Sequence, residues 1–276
     1  MEIYYETSEG NKIYLDRNPY YMLDSSNIVN YEWEYQTNST IAKISGFTRN
    51  LKTKDIDIAI VSTSKVEHKA DINNLVEKIE NDIVATSPGR LYMGDYYLSC
   101  YFVKSKKQSR YETVKKVIVN FSIIVEKDMW IKESTLQFRY ADLEVDTTGK
   151  YYPHNYPYSY GLGGGYNSSI SVEAFGRMDF IITIYGYAHH PEICIGEHVY
   201  KVDYTIQPGE VLTIDSRKHK IILTKTNGIT MNMFRYRDIR HYIFEKITAG
   251  ELPVYWNGSY DWDILLLEER SEPEWT

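Results

Sequence analysis

The segment Val117-Ile-Val-Asn-Phe-Ser-Ile-Ile-Val125 constrains the fold more than any other. It is nearly continuous in apolar residues and too short for a long buried helix, so it reads as a strand covered on both faces. Two further segments carry the period of a sheet with one wet face. Asp55-Ile-Asp-Ile-Ala-Ile60 alternates acid or small residues with Ile, and Tyr31-Glu-Trp-Glu-Tyr-Gln-Thr37 alternates aromatic with polar. A chain built around such segments folds as sheets.

One stretch breaks this pattern. Ile72, Leu75, Val76, Ile79 and Ile83 recur at helical spacing, with Asp71 as the expected N-cap and Pro88-Gly89 beyond the end, which predicts a single α-helix. Turn dipeptides predict hairpins at Gly94-Asp95, Asn227-Gly228 and Asn257-Gly258, with positive φ at both Asn-Gly positions. Residues 146–167 collect Gly, Pro, Tyr and Asn without a period and read as a long loop. The chain of 276 residues is long enough for about two domains. The expected fold class is mainly β: residues 1–133 form a small sheet domain with one helix, and residues 134–276 form a jelly-roll-like β-sandwich.

Composition narrows the function. Twenty-seven tyrosines beside 8 Phe and 5 Trp supply rings suited to half-buried sheets and contact surfaces. The net charge of −7 disfavours a protein that holds nucleic acid by its phosphates. Residues 1–133 carry 18 basic against 19 acidic side chains, and residues 134–276 carry 13 against 19, so the halves differ in charge. Two cysteines, Cys100 and Cys194, give no disulfide framework. No basic-then-apolar leader and no membrane-spanning apolar run is legible.

The local motifs for chemistry are weak. Gly161-Leu-Gly-Gly-Gly-Tyr166 lacks the Gly-Lys-Ser/Thr of a phosphate loop and reads as plain loop. His189, His190, Cys194 and His198 fall close together, but their spacing matches no usual zinc pattern, and no metal is expected. Asp261 and Asp263 share a strand face, as a glycosidase pair could, although an acidic solvated face explains them more simply. Lys104, Lys106, Lys107, Arg110, Lys115 and Lys116 form one basic cluster, expected at a connection between two strands. Arg235 and Arg237 beside Tyr236 and Tyr242 are the residue types favoured at protein interfaces. Trp256, Tyr260 and Trp262 suit either sugar stacking or a core.

The order of these features resembles a known family. Ser45-Gly-Phe-Thr-Arg-Asn50 ahead of strands, a single helix, Arg90-Leu-Tyr-Met-Gly-Asp-Tyr-Tyr-Leu98 and Met129-Trp-Ile131 resemble the distal tail protein (Dit) family of long-tailed bacteriophages. In the second half Tyr156-Pro-Tyr158, Gly209-Glu-Val-Leu-Thr-Ile-Asp215, residues 220–228, Gly250, Val254-Tyr-Trp-Asn-Gly258 and Glu269-Arg-Ser-Glu-Pro-Glu-Trp275 are similar to tail proteins of phages and prophages of Gram-positive bacteria.

The resemblance implies a homo-hexameric ring formed by the N-terminal domain, whose protruding strands embrace the neighbouring subunit. It implies a place in the virion between the tail tube protein and the tail-associated hub or fibre protein, after assembly in the host cytoplasm. The C-terminal domain is then galectin-like and contacts receptor-binding proteins or cell-wall carbohydrate. Neither catalysis nor a cofactor is implied, and no specific nucleic-acid or membrane binding. Tyr31, Trp33 and Tyr35 are the candidates for ring contacts, Trp256, Tyr260 and Trp262 are the candidates for an outer contact surface, and Arg235 and Arg237 are candidates for a protein interface. The competing readings are a carbohydrate-binding β-sandwich module and, behind it, a glycoside hydrolase on Asp261 or Asp263.

Overall fold

A computed structural model of the chain describes residues 2–38, 43–110, 116–140, 165–174, 176–258 and 260–274. The chain divides into two compact units, residues 1–132 with 269–276 and residues 133–268. The closing residues, placed with the sandwich by a boundary at 133, therefore count with the first unit.

The first unit contains β1 (Ile3–Glu6), β2 (Lys12–Tyr14), β3 (Asp16–Arg17), β4 (Tyr20–Met22), β5 (Glu34–Asn38), β6 (Lys43–Thr48), β7 (Lys52–Val61), α1 (Lys65–Val84), β8 (Gly89–Met93), β9 (Tyr96–Arg110), β10 (Lys116–Val125) and the start of β11 (Trp130–Phe138). Its main sheet runs β3-β4-β7-β10-β9, and the first residues of β9 also pair with β8, which pairs with β1 and β1 with β2. As its composition demands, β10 is central: Phe121 lies opposite Ile56 on one side and Ser105 on the other. One face of these strands is apolar, with Ile56, Ile58, Ile60, Val117, Val119 and Phe121 buried. The opposite face is mixed and only part-covered, so β10 is not buried on both faces as expected: Ile118, Asn120 and Ile124 are half-buried there, Ser122 Oγ donates to Asp55 (2.8 Å), and Asn120 Nδ2 (2.8 Å) and Ser25 Oγ (2.5 Å) donate to Asp57.

The helix begins earlier than expected. Ser64 is the N-cap, its hydroxyl accepting from the Glu67 amide at 3.2 Å, and Asp71 lies inside the helix, accepting from Ser62 Oγ at 2.6 Å. Leu75 and Ile79 are buried, whereas Ile83 is exposed. The next position on the inner stripe belongs to Asp82, fully buried, which accepts from Tyr5 OH (2.5 Å), Ser8 N (2.8 Å) and Ser8 Oγ (2.7 Å). Gly89 gives that tyrosine its space, because a Cβ there would meet Tyr5 OH at 2.1 Å.

The second unit continues β11 and adds β12 (Gly165–Val172), β13 (Asp179–Tyr185), β14 (Ala188–His189), β15 (Glu192–Ile195), β16 (His198–Lys201), β17 (Thr205–Ile206), β18 (Val211–Asp215), β19 (Lys220–Thr224), β20 (Thr230–Asn232), β21 (Gly250–Asn257) and β22 (Trp262–Arg270). One sheet runs β20-β19-β18-β13-β22 and a second runs β12-β21-β15-β16. Phe180, Ile182 and Ile184 from the first share one core with Ile193, Val254 and Trp256 from the second, as inward alternation in a sandwich requires. The fold is thus mainly β with large antiparallel sheets. The loop expected over 146–167 lies outside the described residues up to position 164, together with the Gly161-to-Gly164 part of the glycine-rich segment; its last three residues already belong to β12.

Two turn expectations are corrected. Asn257-Gly258 does not close a hairpin, since β21 pairs with β12 and β15 while β22 pairs with β13. It is a corner between the two sheets, where Asn257 Oδ1 accepts from Glu192 N (2.7 Å) and Tyr260 OH (2.9 Å). At both Asn-Gly pairs only the glycine is left-handed, with φ of +80° at Gly228 and +75° at Gly258. Gly94-Asp95 does join a hairpin, with Met93 opposite Tyr96.

Candidate interaction surface

Within the first unit β5 and β6 pair only with each other. All but one of their residues are exposed. A two-stranded hairpin is marginal in water by itself, so what lies on its faces and what holds its root both matter. Tyr35 stands opposite Phe47, and Thr37 opposite Ile44, with a register shift between them. That shift leaves Ser45 as the extra residue of a bulge, its hydroxyl donating to the Gln36 carbonyl at 3.1 Å. In a regular strand Ile44 and Phe47, three residues apart, would point to opposite faces. The bulge puts both on the face of Tyr35. Trp33 joins them, its ring edge-on to Phe47 at 6.4 Å. Tyr35 is 65% exposed, Phe47 59%, Ile44 56% and Trp33 43%, so this face is apolar and open.

The root of the hairpin is heavily tied. The buried Lys54 ammonium pairs with Asp128 at 2.7 Å and donates to the carbonyls of Ile28 (3.0 Å) and Asn30. Asn50 Nδ2 donates to Glu34 at 2.6 Å, and Lys52 pairs with Glu32 and Glu34 at 3.3 Å each. The Arg49 guanidinium lies 4.7 Å from the Tyr31 ring and 4.4 Å from the Trp33 ring. It donates to the Asp128 carbonyl and, at 2.6 Å, to Ser271 Oγ.

The sequence candidates distribute unevenly. Tyr31, Trp33 and Tyr35 are exposed together at this hairpin, although only Tyr35 is within the strand; Tyr31 and Trp33 lie on the approach to it. Arg235 and Arg237 lie in the second unit on a short 3-10 turn, Phe234–Tyr236, and the residue after it. Arg235 donates to Tyr236 OH at 2.9 Å, and Arg237 covers the Phe234 ring at 3.9 Å while donating to the Phe234 carbonyl at 2.8 Å.

Trp256, Tyr260 and Trp262 are not an outer surface. They are 2%, 4% and 0% exposed, and the two indoles meet edge-on at 5.8 Å, with Phe138 stacked on Trp262 at 4.1 Å. Sealed in the core, these rings offer no face to a sugar. Asp263 pairs with Arg139 at 2.5 Å and accepts from Tyr185 OH at 2.7 Å, while Asp261 accepts from the Tyr140 amide at 2.8 Å. Both carboxylates are thus engaged in holding backbone and strands.

Lys104, Lys106 and Lys107 lie within β9 and are exposed, not in a connection as expected; Lys116 starts β10, and Lys115 lies outside the described residues. The histidines near Cys194 have separate partners: His189 meets Thr205 at 2.9 Å, His190 meets Asp203 at 3.6 Å, and His198 Nε2 donates to the Tyr242 carbonyl at 2.9 Å. Among the described residues no group of three or more His, Cys, Asp or Glu is placed to hold a metal ion. No described helix is long and apolar enough to cross a membrane. Phe47 and Arg49 stand out in the sequence only as part of the Ser45-to-Asn50 motif, and Ile44, Lys54 and Asp128 carry no sequence signal; the bulge conceals the shared face of Ile44 and Phe47.

No protein-family model and no curated protein matches the sequence. Solved structures do. A chain of the phage p2 baseplate in its activated conformation with calcium is similar over 99% of this chain and 100% of its own, with a TM-score of 0.59 and 11% identity. The strontium form of that baseplate is similar at 0.58. The Dit protein of phage SPP1, described as a paradigm of the hub adsorption apparatus of phages infecting Gram-positive hosts, is similar over 98% of both chains, with a TM-score of 0.57 and 10% identity. End to end, the chain has the fold of distal tail proteins.

Proposed function

We propose that this protein is a structural component of a phage tail tip. In this reading residues 1–132 with 269–276 form the ring domain of a homo-hexamer that joins the tail tube protein to the tail-associated hub or fibre protein. The remainder is a peripheral galectin-like sandwich that contacts receptor-binding proteins or cell-wall carbohydrate, and the protein is a scaffold without catalysis, carried in the virion.

The observation that carries the reading is the hairpin of β5 and β6. It stands apart from the main sheet of its unit and presents Trp33, Tyr35, Ile44 and Phe47 on one open face. Exposed aromatic rings and free strand edges are what a neighbouring copy can cover by packing and strand addition. The contact is heterologous, hairpin to body, and repeating such a contact through a closing rotation gives a ring. The whole-chain likeness to a baseplate component and to a hub protein supports the same assignment.

Light scattering across a concentration series tests it. The expected species is about 194 kDa, six copies of the 32.4 kDa chain. A mass fixed at one copy at all concentrations, even with a candidate tube protein added, would overturn the ring.

A further inference from the structure

The two rings nearest the hairpin root, Tyr31 and Trp33, have one charged side chain in common. Arg49 leaves the end of β6, and its guanidinium carbon lies within 5 Å of both ring centres. The same group reaches away from the hairpin in two directions, to the carbonyl of Asp128 ahead of β11 and to the hydroxyl of Ser271. Ser271 belongs to a closing segment that is itself fastened to the first unit. Glu269 accepts from Lys127 Nζ at 2.7 Å, and Arg270 donates to Tyr96 OH at 3.0 Å. The planar guanidinium fork can lie against an aromatic ring while its edge N–H groups hold two oxygens in fixed directions, whereas an ammonium has no flat face to stack.

We propose that Arg49 is the positioning residue of the aromatic hairpin, transmitting the place of the closing segment, through Ser271, to the orientation of Tyr31 and Trp33. This rests on the reading of that hairpin as an assembly face, and it names the device that readies the face. Rings already held need not be immobilised when a neighbour docks, and that avoided ordering cost is a gain in affinity. Buried Asp128 adds a second tie, because its carboxylate holds Lys54 while its backbone carbonyl accepts from Arg49.

The test uses the full chain with Trp275→Phe. Trp130, Trp256 and Trp262 are at most 2% exposed, so acrylamide quenching of dissociated protein then reads Trp33. Ser271→Ala, which removes only a distant hydroxyl, is expected to raise that quenching about twofold and to shift the midpoint of self-association about tenfold upward, ~1.4 kcal/mol. Arg49→Lys is expected to do both more strongly. Tyr35→Ser is expected to weaken association and leave Trp33 quenching as it was.

Unchanged quenching in both Ser271→Ala and Arg49→Lys overturns the proposal. So does changed quenching with undiminished association. If the parent protein never associates, the ring reading fails by that result, and the quenching still decides whether Arg49 positions the rings. Ser271→Ala keeps the test alive should Arg49→Lys fail to fold.

Discussion

Several buried polar groups in this protein are anchors, and their energetics differ from those of surface pairs. Lys54 and Asp128 are 6% and 3% exposed at the side chain. Removing one partner of such a pair strands the other charge in a poorly solvated place, at a cost of about 3–5 kcal/mol. Lys54→Met is expected to lose stability of that order in denaturant unfolding, and Lys54→Met with Asp128→Leu is expected to recover part of it. The recovery is incomplete because the carbonyls of Ile28 and Asn30 lose their donor as well. Burial also sets the response to alkali. The Cys100 thiol is pushed up to about 12, first by burial and then by the Asp82 carboxylate. The phenols of Tyr5, Tyr200 and Tyr260 are raised chiefly by burial. In the unfolded chain these groups lose protons from about pH 9 upward, while in the folded chain they keep them. Their contribution is therefore fully present below about pH 9 and is lost as pH rises toward 12, by up to ~1.4 kcal/mol per pH unit for each group. Urea unfolding at pH 8 and pH 11 is expected to show the midpoint falling. At the acid end Asp238, held low by hydrogen bonds from Arg240 and His241, contributes in the opposite sense, losing its share as pH falls through the carboxylate range.

Elements were legible from the sequence where a period had room to repeat. The central β10 and the Ile-rich β7 follow directly from their patterns, and Leu75 and Ile79 mark the helix face. The helix start was hidden because its first turns, from Lys65, carry no apolar period, and the helix end was distorted because Asp82 fills an inner position that an apolar count assigns to Ile83. Asn257-Gly258 announces a reversal but does not say which strand lies beyond it, so a corner between sheets reads as a hairpin. Alternation likewise put Trp256 and Trp262 on defined strand faces without saying which face is inside. The hairpin of β5 and β6 shows the same limit: Tyr35 is visible in the sequence, whereas Phe47 and Ile44 share its face only because of the bulge at Ser45. Since these side chains are exposed, Tyr35→Ser with Phe47→Ser is expected to alter stability by less than about 0.5 kcal/mol. The same variant is expected to remain at one-copy mass in light scattering while its circular dichroism matches that of the parent.

At the scale of the whole molecule, the assembly proposed above, being heterologous, would give each copy two different faces, the hairpin and the surface that receives it. A copy with a defective hairpin still receives one. Mixing the Tyr35→Ser, Phe47→Ser variant with an equal amount of parent chain is therefore expected to yield short open oligomers at the expense of the closed species, as native mass spectrometry would resolve. An isologous dimer interface would instead lose both halves of the contact together.

The division of the chain carries a consequence of another kind. The first unit is discontinuous: Lys127 finds Glu269, Tyr96 finds Arg270 and Arg49 finds Ser271 across the entire length of the second unit. On a ribosome, where synthesis proceeds from the N-terminus, β5 and β6 are made long before the residues that steady their root. The sandwich can complete its sheets in that interval, while the first unit waits for its ties to residues 269–271. On the reading of that hairpin proposed above, competence to assemble is expected to arrive only once residues 269–271 have been made.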